Sequence, residues 1–188
     1  MNQFIPLQKS SLPTALTLLA AAVLAAAPAA ASAAEAGGEF TKGVIDLGMV
    51  VRDAGQTAGF LTNAIGFTEV KGFSVTPEQG RKIGLVDGYA VDVRVFALTE
   101  GDQATRIKVL SFPKAGAKKP DQKVIHSTLG LRYLTLYVKD MNRALERLKA
   151  AKVAPLGETP LDLGGGTFIT VCKDPDGNFF ELIGPMKK

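Results

Sequence analysis

The chain has 188 residues with one Cys, one His, no Trp and a formal net charge of +4. A single cysteine excludes an intramolecular disulfide and any zinc site built on several thiolates, and a single histidine excludes a site that draws two or three imidazoles from one chain. The positive excess is mild and Lys118-Lys119 is the densest basic stretch, a pattern that argues against nucleic-acid binding.

Lys9 is the only charged side chain before Glu35. From Leu12 to Ala31 the chain is rich in Leu and Ala, and Ala31-Ser32-Ala33 follows as a small-x-small cleavage pattern. Ala is weakly apolar and Pro28 interrupts the run, so a cleaved signal fits better than a permanent span. The reading is a signal peptide over 1–33 and a linker over 34–42. The product is expected to be exported, periplasmic or secreted, with no stable membrane anchor after cleavage.

The first structured segment runs from Gly43 to Asp53 and is β-branched and apolar, which predicts a buried strand. Asp53 is placed to cap the helix that follows. Ala58, Leu61 and Ile65 mark that helix's buried face, Gly55 and Gly59 weaken it, and Gly66-Phe67 stops it. Val91, Val93 and Val95 then alternate with Asp92 and Arg94 in a strand. A polar turn at Glu100-Gly101-Asp102-Gln103 leads into a further strand from Arg106 to Phe112.

A Lys-, Pro-, Ala- and Gly-rich linker over 114–129 precedes a second copy of the pattern. Gly130 to Asp140 aligns with Gly43 to Asp53: Gly, Leu, Val and Asp recur at matching places, and Arg52 faces Lys139. The helix after Asp140 puts Ala144, Leu145, Leu148 and Ala151 on one face. Strands follow from Thr167 to Cys172 and from Asn178 to Ile183, joined by the turn Asp174-Pro175-Asp176-Gly177. Gly164-Gly165-Gly166 leads into a strand, not a helix, so it is a loop and not a phosphate cradle. Each copy reads βαβββ, the first over 43–113 and the second over 130–185.

Three segments carry a family resemblance. They are Val50-Val51-Arg52-Asp53, then Phe60-Leu61 with Ile65-Gly66-Phe67, and above all Asp174-Pro175-Asp176-Gly177-Asn178-Phe179-Phe180-Glu181-Leu182-Ile183. With them the chain resembles the vicinal oxygen chelate superfamily, the glyoxalase, bleomycin-resistance and extradiol-dioxygenase group, from Gly43 to Pro185. The resemblance implies an α+β fold of two tandem βαβββ modules, with sheets curled round a shared cleft and helices outside.

Alternation along the strands assigns faces. Ile45, Leu47, Met49 and Val51 belong to the helix side, which leaves Val44, Asp46, Gly48 and Val50 for the cleft. Leu134, Leu136 and Val138 likewise leave Tyr133, Thr135 and Tyr137. Ile107 and Val109 leave Arg106, Lys108 and Leu110, and Phe180 and Leu182 leave Phe179, Glu181 and Ile183.

By the resemblance, Asp46, Lys108, Tyr133 and Glu181 stand where metal-dependent relatives place His, Glu or Gln, His and Glu. Only Glu181 matches. No metal cofactor is therefore expected. A divalent ion, if bound, would take Asp46, Tyr133 and Glu181. In one reading Lys108 replaces the metal, its ammonium lying between Asp46 and Glu181. In the other these are solvated side chains at a wide groove mouth.

Two functions follow from the resemblance. The first is binding of a small, aromatic or planar ligand, with Tyr133, Tyr137, Phe179 and Phe96 as stacking surfaces and Lys108 and Asp46 as polar anchors. The second is a lyase, isomerase or dioxygenase of the glyoxalase or extradiol type with an atypical site. The expected partner is a small molecule, and the chain is a monomer or homodimer. His126 falls outside the family's ligand positions, and Cys172 lacks a basic neighbour, so both are read as structural or surface residues.

Overall fold

The structure is a computed structural model and describes residues 40–187. The expected signal peptide and residues 34–39 of the linker lie outside the described residues. Among the described residues no helix is long and apolar enough to cross a membrane.

The first sheet combines β1 (Asp46–Val51), β2 (Thr68–Val75), β3 (Val91–Ala97) and β4 (Arg106–Ser111) in the order β1-β4-β3-β2. β1 and β4 are parallel, with Asp46 opposite Arg106 and Gly48 opposite Lys108; the other pairings are antiparallel. The second sheet repeats this plan with β5 (Tyr133–Tyr137), β6 (Leu161–Gly164), β7 (Thr167–Lys173) and β8 (Phe179–Pro185) in the order β5-β8-β7-β6. β5 and β8 are parallel and pair Tyr133 with Phe179 and Thr135 with Glu181. The two mixed sheets, with the helices packed on them, make an α+β fold.

Both helices after the leading strands begin at an aspartate, whose carboxylate satisfies amides that a helix start leaves unpaired. Asp53 accepts from the amides of Gly55 and Gln56 at 2.8 and 3.0 Å, opening α1 (Ala54–Gly59). Asp140 accepts from the Asn142 amide at 3.1 Å, opening α3 (Met141–Ala150). Between them lies α2 (Pro77–Lys82), opened by a Thr76–Gln79 capping box. β2, β6 and α2 have no counterpart among the segments named from the sequence, and α1 continues as a π-helix over Phe60–Ile65, which ends where Gly66 adopts a left-handed φ of 98°.

The strand alternation deduced above matches the burial except at Ile45, which precedes β1 and is exposed, and at Phe179, which is buried on the cleft side. Val51, Ile107, Val109, Leu136, Phe180 and Leu182 are buried on the helix side. They share one core with Phe60, Leu61, Ala64 and Ile65 of the π-helix and with Met141, Ala144 and Leu148 of α3. The helical segments of the two halves also touch each other and the opposite sheet. Arg147 of α3 donates through Nη2 to the Ile65 carbonyl at 3.1 Å, and Phe60 sets its ring edge-on to Phe180 at 5.0 Å. Val91, Val93 and Val95 are buried in a small cluster with Val75, Leu110 and Phe112, while Phe96 turns into the main core.

Candidate functional site

The six cleft residues expected from the sequence fall into three groups. Asp46 and Lys108 face each other on the first sheet. The parallel register sets Lys108 opposite Gly48, two residues from Asp46, and its Nζ lies 3.0 Å from Asp46 Oδ2. Both side chains are about one-third exposed (37% and 33%), so the pair is screened and contributes little to stability.

Tyr133, Phe179 and Glu181 gather on the second sheet. Together with Ile125, Leu156 and Val171 they line a groove of about 390 Å³. Tyr133 is 52% exposed and offers a ring to solvent. Phe179 is only 7% exposed, and the Lys173 ammonium lies 4.4 Å from its ring centroid. Glu181 accepts a hydrogen bond through Oε1 from the Thr135 hydroxyl at 2.7 Å.

Tyr137 stands apart. Four residues along β5 from Tyr133, it is exposed beside Ile65, Leu98 and Arg143 in a separate depression. Phe96 cannot act as a stacking surface either. Its parity follows Asp92 and Arg94 and not the cleft-facing valines, and it has no exposed area.

Lys108 does not bridge Asp46 and Glu181. Among the described residues its ion pair is with Asp46, while Glu181 is engaged by Thr135 on the other sheet. The four positions also fail to fit a divalent metal. An ammonium 3.0 Å from Asp46 occupies the place of a cation, and Tyr133 would have to lose its phenolic proton. Among the described residues no three His, Cys, Asp or Glu side chains are grouped to hold one.

Strand parity could have revealed Val171, which alternates with buried Thr170 and Cys172. Ile125 and Leu156 sit outside the strands, where no periodicity marks them. His126 is exposed in the short turn Ile125–Ser127. Cys172 has no exposed area, and burial, with the Asp174 charge beside it, pushes its thiol up to about 12. Such a thiol is unreactive.

The family model described as Glyoxalase/Bleomycin resistance protein/Dioxygenase superfamily matches residues 43–182. A glyoxalase-family protein from Bacillus cereus is similar in structure, with a TM-score of 0.62 at 18% identity, covering 76% of this chain and 93% of its own. A glyoxalase/bleomycin resistance protein/dioxygenase domain from Frankia sp. gives a TM-score of 0.55 at 20% identity, over 78% of this chain and 93% of that one. The trypanothione-dependent glyoxalase I of Leishmania major gives 0.53 at 16% identity, over 74% and 84%. These structural likenesses bear on the fold. No curated protein matches the chain.

Proposed function

Because the chain belongs to the glyoxalase/bleomycin resistance protein/dioxygenase superfamily, we propose that it binds a small planar ligand, without metal chemistry, in the groove of its second module. The observation that carries this reading is the groove's wall. Tyr133 exposes an aromatic ring next to apolar Ile125, Leu156 and Val171, and the Glu181 carboxylate stands among them. An apolar slot with one fixed acceptor selects a flat ligand that carries a hydrogen-bond donor. Thr135 holds one Glu181 oxygen, which orients the carboxylate, and no protein hydrogen bond to the other oxygen is formed among the described residues.

The Asp46–Lys108 pair plays no part in this reading, because it neutralises itself on the other sheet. The Ala31-Ser32-Ala33 pattern supports export of the chain, which the mass of the product from a secreting host would check.

N-phenyl-1-naphthylamine, a fluorescent aromatic amine with one N–H donor, tests the binding reading. It should bind the purified chain with one site. Tyr133→Ala and Glu181→Gln should each weaken it roughly tenfold, about 1.4 kcal/mol. Unchanged affinity in both variants, or stoichiometric zinc, iron, nickel or manganese on the purified chain, would refute the proposal.

A further inference from the structure

The linker between the modules does not hang free. Its second half, Asp121 to Thr128, runs beside the groove and contributes Ile125 to the wall. Side chains of the second module tie this strap down. Arg132 Nε donates to the Ile125 carbonyl at 2.9 Å, and Nη2 donates to the Asp121 carbonyl at 2.9 Å and to Gln122 Oε1 at 2.7 Å. Lys173 Nζ donates to the Gln122 carbonyl at 2.6 Å, and Gln122 Nε2 donates to Asn178 Oδ1 at 2.9 Å.

The strap's own contacts are slight. It has one internal backbone bond, from the Ser127 amide to the Val124 carbonyl at 3.2 Å. The Lys123 and Val124 amides are met only by the side chains of Asp121 and Ser127. Val124 and Ile125 remain 40% and 47% exposed, so little apolar burial anchors them. Among the described residues no strand pairs with the strap. Its placement rests on polar fastening, and Arg132 supplies most of it through a planar fork that grips three acceptors at once.

We infer that Arg132 is a positioning residue for ligand selectivity: it latches the strap and so fixes Ile125 as the wall that limits the groove to flat, narrow ligands. This rests on the groove being the binding site. Arg132 need not touch the ligand. It acts through Ile125, and residues that act through one another give non-additive effects when both are changed.

The test compares wild type with Arg132→Met, Ile125→Ala and the double variant, each in the full chain. The probes are N-phenyl-1-naphthylamine and the bulkier di-2-naphthylamine. Wild type should prefer the smaller amine by roughly tenfold or more. Each single variant should erase most of that preference, and the double variant should do no more than either alone. Additive losses, or a preference retained in Arg132→Met, would overturn the inference.

A second arm does not depend on ligand. Hydrogen exchange at the Lys123, Val124 and Ser127 amides should quicken by roughly tenfold or more in Arg132→Met, with β8 amides unchanged. Unchanged strap exchange would show that Arg132 is no latch. If wild type binds neither amine, the binding reading fails and the selectivity role falls with it, while the exchange arm still decides the latch.

Discussion

Asp174 is 5% exposed, and three donors surround its carboxylate. The amides of Asp176 and Asn178 donate to Oδ1 at 2.9 and 2.8 Å, and Asn178 Nδ2 donates to Oδ2 at 2.8 Å. These bonds hold the Asp174-Pro175-Asp176-Gly177 turn between β7 and β8. Burial is the largest influence on the group and raises its pKa, against the opposing pull of the Asn178 hydrogen bonds. A carboxyl whose folded pKa is raised is at its most stabilising when protonated in both states, below the ordinary Asp value of about 3.9. That contribution is lost as pH rises through the folded pKa. Asp174→Asn removes the titration. Wild-type stability relative to this variant should therefore improve as pH falls from 7 toward 4, read from urea unfolding at each pH. A flat or opposite trend would disprove the assignment. Glu69 behaves in the reverse sense, because the hydrogen bonds from Arg94 hold its carboxyl below the usual range.

At the scale of elements, two equally tight constraints stand out: Gly72 of β2 against the Val93 carbonyl of β3, and Gly184 of β8 beside the end of β5. A Cβ on Gly184 would collide with the carbonyl oxygen of Val138, a backbone atom that cannot swing aside. The same place carries the bond from the Val138 amide to the Ile183 carbonyl at 2.8 Å. Gly184→Ala should cost about 2–4 kcal/mol. Gly48→Ala on β1 meets nothing within 4 Å and should cost well under half of that. Chemical denaturation of the two variants checks the contrast, and equal losses would contradict it. Strand faces were legible in the sequence because a period of two leaves a plain trace, as in Leu47, Met49 and Val51 against Asp46, Gly48 and Val50. The π-helix was not. Ala58, Leu61 and Ile65 satisfy an ordinary helical spacing, and the wider turn shows only in the Gly66 amide reaching back to the Leu61 carbonyl at 2.9 Å. The strap was equally hidden, since Arg132 grips backbone carbonyls, which have no sequence signature.

For the whole molecule, the repeat was legible but the packing between copies was not. Internal similarity predicts two like modules. It does not say that Phe60 of one will lie on Phe180 of the other, because each module alone leaves that surface open. The same gap explains the divided site: parity chose faces correctly, yet Asp46–Lys108 and Tyr133–Glu181 belong to separate sheets with separate partners. A main core shared by both sheets has a thermodynamic consequence. The described residues should melt in one transition, with calorimetric and van't Hoff enthalpies equal. Phe180→Ala, which removes a side chain with no exposed area, should destabilise both modules together by about 3–5 kcal/mol. Two resolved transitions would show that the modules are independent. The strand order has a further consequence in time. β8 sits inside its sheet, between β5 and β7, and brings Phe180 and Leu182 to the common core. It is also the last of the eight strands to leave the ribosome. Until it emerges, β5 lacks its parallel neighbour and Phe60 its aromatic contact, so the first sheet can pair its own strands but cannot complete the shared core.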